Sequence, residues 1–174
     1  VAETRILSIV GCKNAGKTTL AVALASEYVR KGRRVMAIKH STHPLVDKPG
    51  SDSYRLFHEG KAQRVILAAP DGRVLFERQP DNYDPVGLAR EYLGGADLVL
   101  VEGYRSADLP KIEVFRRDAG DRPLYQPDAA DAHRWLAIVT DDEHFEATCP
   151  VLRFRDTMWL QLLATLAWDK ARVI

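Results

Sequence analysis

Eight consecutive residues, Gly11-Cys12-Lys13-Asn14-Ala15-Gly16-Lys17-Thr18, constrain this chain more than any other stretch. They fit G-x-x-x-x-G-K-[ST], a loop that cradles phosphate when a strand precedes it and a helix comes after. Arg5 to Val10 before it is rich in β-branched residues, and Thr19 to Val29 after it carries Leu20, Leu24 and Tyr28 on one helical face. The glycines let the backbone curl so that several N–H groups converge on one anion, and the helix start adds roughly half a positive charge. Lys17 is placed for the β/γ-phosphates and Thr18, doubled by Thr19, for Mg²⁺. A chain so built binds a nucleoside triphosphate through residues 11 to 19.

The segments beyond the loop set the fold class. Lys31-Gly32 ends the helix, and Val35 to Ile38 is a second apolar strand closing in Lys39-His40. Strand, helix, strand makes a βαβ unit and hence a parallel sheet, with ligands at the carboxyl ends of the strands. Lys39 and His40 fall at such an end. Residues 41 to 52 are polar with two prolines and a glycine, which predicts a switch-like loop. Asp52-Ser53 is then expected to cap a short helix over Tyr54–Glu59. Arg64 to Ala69 and Val74 to Glu77, joined by Pro70-Asp71-Gly72-Arg73, read as an antiparallel hairpin.

Asp81 to Pro85 opens a helix with Val86, Leu88, Ala89, Tyr92 and Leu93 on its apolar face. Asp97-Leu98-Val99-Leu100-Val101-Glu102-Gly103 comes next, an apolar strand with an acid at its carboxyl end, the Walker B position. Glu102 is therefore a candidate Mg²⁺ ligand with Thr18, and Asp52 is a second candidate carboxylate. Lys17, Asp52 and Glu102 are the candidate catalytic residues. Further strands are expected at 111 to 116, 135 to 142 and 151 to 154, and Asp156 is expected to cap a last helix that packs through Met158, Leu162, Leu163, Leu166 and Ala167. Thr140-Asp141-Asp142 lacks the lysine of an N/T-K-x-D base-reading segment, so the residues alone leave the base open. His40, His43 and Cys12 fit no strong zinc spacing. The expected architecture is a three-layer α/β/α P-loop NTPase over residues 1–174, one domain, with a mostly parallel sheet and one antiparallel hairpin strand.

The 25 Lys+Arg balance 24 Asp+Glu, so no bulk charge points to nucleic acid. No apolar run approaches the ~18 residues of a membrane span. With two distant cysteines, Cys12 and Cys149, a reduced cytoplasmic setting is expected.

The phosphate loop with Thr19, Ile38-Lys39-His40, the run Asp47-Lys48-Pro49-Gly50-Ser51-Asp52-Ser53-Tyr54, Leu100-Val101-Glu102-Gly103-Tyr104 and Pro110-Lys111-Ile112 together resemble the MobB family of molybdopterin-guanine dinucleotide biosynthesis adaptors. The resemblance runs from Ile6 to about Val139. It implies a GTP- and Mg²⁺-binding adaptor with weak GTPase activity, often a homodimer, that assists the molybdenum cofactor guanylyltransferase in joining GMP to molybdopterin. It also makes Lys39, His40 and Lys48 candidates for anionic groups. The alternative from the residues is a small-molecule kinase, with Asp52 as the catalytic carboxylate and Arg116, Arg117 and Arg122 in a lid.

Overall fold

The computed structural model describes residues 3–43, 47–78 and 84–174. In chain order it has β1 (Arg5–Val10), α1 (Lys17–Arg30), β2 (Val35–Lys39), α2 (Asp52–Tyr54), β3 (Arg64–Ala69), β4 (Gly72–Glu77), α3 (Pro85–Tyr92), β5 (Leu98–Glu102), β6 (Lys111–Phe115), β7 (Trp135–Thr140), β8 (Val151–Arg153), α4 (Trp159–Lys170) and β9 (Arg172–Val173). These elements group into two compact units. Val1–His40 and Asp84–Ile174 form one, and Ser41–Tyr83 forms the other.

The first unit is a sheet in the order β2-β5-β1-β6-β7-β8, six strands that pair in parallel. β1 is central, and its edge toward β6 is shared. Ser8, Ile9 and Val10 pair with β6, while Arg5 and Ile6 below them pair antiparallel with β9. Alternation along each strand divides the core into two faces. Leu7, Ile9, Leu98, Leu100, Ile112 and Val114 meet Leu20, Leu24 and Tyr28 of α1 and Leu163, Ala164 and Ala167 of α4. The Tyr28 hydroxyl donates to the Ala164 carbonyl at 2.6 Å and locks the two helices together. On the other face Ile6, Val99 and Val101 meet Val86 and Ala89 of α3, and Val10, Phe115 and Trp135 meet Tyr125. Helices, sheet, and helix with loop make the expected three layers.

One helix start in this unit differs from the sequence reading. Asp156 does not cap α4; its Oδ2 accepts from the Arg153 N–H at 3.0 Å, and α4 starts after Met158, which sits at φ 61°. Met158 and Leu162 are exposed, because the buried stripe is Leu163, Ala164 and Ala167. The apolar residues of this segment offer more than one stripe, and the small alanines let α4 lie close to α1. For α3, Asp84 is the cap, accepting from Val86 N at 2.7 Å and Gly87 N at 3.3 Å, with Pro85 at the first helical position. Asp81, Asn82 and Tyr83 lie outside the described residues.

In the second unit the cap of α2 is Ser51, whose hydroxyl accepts from the Tyr54 N–H at 3.2 Å, not Asp52-Ser53. The chain continues as a π-helical turn over Arg55–Glu59. β3 and β4 form a two-stranded antiparallel sheet of their own, with Ile66 opposite Leu75 and Leu67 opposite Val74. Part of the predicted switch-like loop, residues 44 to 46, lies outside the described residues.

Candidate functional site

β1 ends at Val10 and the chain turns at once into the glycine loop. Gly11 has φ +149°, and a Cβ there would meet the Val114 carbonyl oxygen of β6 at 2.4 Å. Only glycine fits so close to a neighbouring strand. Asn14 takes φ 64°, a conformation asparagine tolerates better than most residues, and Gly16 takes φ +101°. Gly16 is also the residue before α1, and among the described residues no side chain caps the helix. The first-turn N–H groups of α1 are thus left for an anion. Lys17 is half-buried rather than fully solvent-facing, and its Nζ donates to the Cys12 carbonyl at 2.7 Å. That bond folds the lysine back over its own loop.

The register of the sheet supplies the rest of the site. β5 lies between β1 and β2, and Glu102 pairs with Ile9 on one side and Lys39 on the other. The Thr18 hydroxyl donates to Glu102 Oε2 at 2.9 Å, and the Lys39 ammonium donates to Glu102 Oε1 at 2.6 Å. Both carboxylate oxygens are engaged. The Glu102 side chain is 13% exposed and that of Lys39 62%, so this pair fixes position more than it stabilises the fold. A cavity of about 440 Å³ opens here, lined by Lys13, Asn14, Lys17, Thr18, Lys39 and Glu102, with Gly16 and Thr19 completing the wall. Apart from Glu102, every charge on that wall is positive.

The turn after Glu102 is built for tight passage. Gly103 has φ +96°, and a Cβ there would stand 3.0 Å from His40 Cβ. Its N–H donates to the Ile9 carbonyl, and its own carbonyl accepts the buried Ser8 hydroxyl at 2.6 Å. His40 donates its N–H to the Glu102 carbonyl, and its ring lies against Tyr104 with centroids 4.8 Å apart. It stands beside the cavity without lining it.

The structure therefore brings together residues 11 to 19, Lys39 and Glu102. Asp52 belongs to the second unit, exposed in the first turn of α2. Lys48 belongs there too. Arg116 and Arg117, the lid residues of the kinase alternative, are bound elsewhere. Arg116 Nε donates to Asp141 at 3.1 Å, and Arg117 pairs with Asp142 at 2.7 Å. The His144 N–H, and after it the Arg117 guanidinium, favour the Asp142 carboxylate and hold its pKa below the usual range.

The site has the donor set for a magnesium–triphosphate. Thr18 and Glu102 offer hard oxygens, the loop offers N–H groups, and no cluster of three or more His, Cys, Asp or Glu residues occurs among the described residues. Mg²⁺ suits such a site because it takes few protein ligands and completes its shell with water and phosphate.

Comparison with known proteins decides the family. Residues 6–141 match the family described as molybdopterin guanine dinucleotide synthesis protein B. The chain belongs to the MobB family. Curated MobB relatives named molybdopterin-guanine dinucleotide biosynthesis adapter proteins occur in Escherichia coli, 37% identical over 125 residues, and Haemophilus influenzae, 38% identical over 125 residues. The alignments span 68% and 71% of this chain and 69% of each relative. A crystal structure of molybdopterin-guanine biosynthesis protein B superposes with a TM-score of 0.67 at 25% identity, covering 94% of this chain and 98% of that one. The MobB homologue from Bacillus stearothermophilus gives 0.65 at 23% identity, over 94% of this chain and 98% of that one, a likeness of fold.

Sequence reasoning missed the pairing of Lys39 with Glu102 and the role of Ser8. Each depends on which strands are neighbours. The one available signal was the cationic end of β2, which marked Lys39 without naming its partner.

Proposed function

We propose that this MobB family member is an adapter in molybdopterin guanine dinucleotide biosynthesis that binds GTP with Mg²⁺ and hydrolyses it slowly. The Thr18–Glu102–Lys39 constellation beneath the glycine loop is the observation that carries this reading. The N–H groups of residues 13 to 18 and the Lys17 ammonium would hold the phosphates, and Thr18 and Glu102 would hold Mg²⁺. Bound there, Mg²⁺ would draw charge from the β- and γ-phosphates. Lys39 has to yield Glu102 Oε1 when the cation is held, and its freed ammonium is then a partner for phosphate oxygen.

Slow turnover is expected from the surroundings of the site. Among the described residues no glutamine lines the cavity, and Arg116 and Arg117 are occupied by Asp141 and Asp142. Without a water-orienting group and an arginine finger, intrinsic hydrolysis runs on the order of 10⁻⁴ to 10⁻² s⁻¹. The same occupied arginines disfavour the kinase alternative. The output would be assistance to the guanylyltransferase that joins GMP to molybdopterin. Homodimerisation fits the second unit, where Ile66, Leu67, Val74 and Leu75 are exposed on both faces of the β3–β4 hairpin.

Reconstitution tests the reading. Guanylated molybdopterin is measured with and without this chain at limiting GTP, beside Lys17→Ala. A gain with the wild-type chain that Lys17→Ala loses supports the proposal. Rapid, partner-independent phosphorylation of a small acceptor would replace it with the kinase.

A further inference from the structure

On the sheet face opposite α1, β6 carries two charged residues that the phosphate site does not use. Lys111 and Glu113 are each 1% exposed. The Glu113 carboxylate accepts the N–H groups of Leu124 at 2.6 Å and Tyr125 at 3.0 Å. The Lys111 ammonium donates to the carbonyls of Ala107 at 2.9 Å and Leu109 at 3.2 Å, with Asp131 Oδ2 4.0 Å away. Burial pushes the glutamate pKa up and the lysine pKa down. Each buried charge thus pins a loop, the one after β5 and the one before β7.

A pocket of about 120 Å³ lies between those loops, lined by Arg105, Leu124, Gln126, Ala129, Asp131 and Trp135. Its donors are not taken up by hydrogen bonds, while Asp131 stands between the pocket and Lys111. Trp135 Nε1 is a buried N–H with no hydrogen-bond partner among the described residues. Arg105 and Gln126 make no side-chain hydrogen bond or ion pair among the described residues. The Asp131 side chain is 42% exposed. Pinned walls around unmet donors and one carboxylate describe a binding site rather than a packing fault.

We propose that this pocket takes a 2-amino-4-oxopyrimidine ring, the edge that pterin and guanine share. The exocyclic amine and the adjacent ring N–H of that edge both donate, which suits one carboxylate, Asp131. The neighbouring 4-oxo group accepts, which suits the Arg105 guanidinium or the Trp135 indole N–H. The volume equals roughly four waters' share of the liquid, the size of one substituted pyrimidine ring. Arg105 lies three residues after Glu102, so the pocket wall and the cation-side carboxylate hang on the same strand end. The proposal deepens the adapter reading and rests on it, because both halves of molybdopterin guanine dinucleotide present this edge.

The test monitors the indole N–H resonances of the full chain, which has three tryptophans, with Trp135→Phe assigning the peak. The probes are 6-hydroxymethylpterin and guanosine, neither of which carries phosphate, and lumazine, which has an oxo group in place of the 2-amino group. A saturable shift of the Trp135 peak with pterin or with guanosine is expected, and which one binds more tightly names the source. Lumazine binds at least about tenfold more weakly, and Asp131→Asn weakens the aminated probes by a similar factor. Arg105→Ala, an exposed change, serves if Asp131→Asn unfolds by leaving Lys111 without its acid, and it weakens binding by a similar factor. Lys17→Ala leaves the Trp135 shift intact. No shift at millimolar probe, equal binding of lumazine, or loss of the shift in Lys17→Ala would overturn the proposal. A chain that binds GTP with Mg²⁺ but shows no such shift loses this pocket and keeps the phosphate-site reading; one that shows the shift but binds no GTP does the reverse.

Discussion

β5 and the β3–β4 hairpin are built from the same kinds of residue and meet opposite fates. Leu98, Val99, Leu100 and Val101 are buried, enclosed by strands on both edges and helices on both faces. Ile66, Leu67, Val74 and Leu75 are exposed, Ile66 by 65%. A two-stranded sheet has no second layer of its own to bury either face. Apolar content therefore says which segments become strands, while layers decide which strands carry stability. The phosphate loop is fixed to the stable region, on β1 and against β6.

The largest expected effect sets the two regions against each other. Leu100→Ala opens a cavity in the first unit and should cost about 2–5 kcal/mol in urea unfolding. Ile66→Ala should shift monomer stability by less than about 0.5 kcal/mol. If the hairpin joins two copies, Ile66→Ser with Leu75→Ser should halve the mass seen by light scattering without unfolding the chain. An unchanged mass would remove the hairpin from the dimer proposal.

Glycines sharpen the contrast at an intermediate scale. Gly11→Ala forces a Cβ into the Val114 carbonyl at a positive φ, and should cost about 1–3 kcal/mol together with phosphate binding. Gly72→Ala, with nothing within 4 Å of its added Cβ, should leave both unchanged. Equal effects at the two positions, read by thermal unfolding and nucleotide titration, would mean that the loop is not held by its neighbouring strand.

The pH dependence of the first unit is a smaller effect. Burial raises the Glu113 pKa against two backbone bonds and Arg105, which lower it. The folded state then holds this proton more tightly than the unfolded chain. Its contribution is fully present below glutamate's ordinary 4.5 and is lost as pH rises through the raised folded value. Glu113→Gln should flatten that fall in a series of urea midpoints; a slope equal to wild type would assign the pH dependence to other groups. The smallest effect is at Lys39. Its ammonium competes for Glu102 Oε1, so Lys39→Ala should tighten Mg²⁺ in the presence of GDP by a few-fold at most. Weaker Mg²⁺ binding would mean that Lys39 supports the cation site.

The glycine loop and α1 were legible because each is a contiguous pattern whose neighbours in sequence are its neighbours in space, and Glu102 because it is the acid that ends an apolar run. The hairpin was legible from Pro70-Asp71-Gly72 between two apolar runs. Lys39 on Glu102 was not, since the order β2-β5-β1 places strands side by side that lie some sixty residues apart in the chain. Lys111 and Glu113 alternate with Ile112 and Val114 along β6, yet both are buried, under loops with no period of their own. Asp156 resembled a cap, but the backbone of β8 claimed its carboxylate first.

The most direct measurement is calorimetric titration of the purified chain with GTP and with ATP, each with and without Mg²⁺, beside Lys17→Ala and Glu102→Gln. GTP binding is expected, weakened about tenfold to a hundredfold by Lys17→Ala, with an Mg²⁺ dependence that Glu102→Gln removes while metal-free binding survives. Affinity unchanged by Lys17→Ala, or an Mg²⁺ dependence untouched by Glu102→Gln, would contradict this reading of the site.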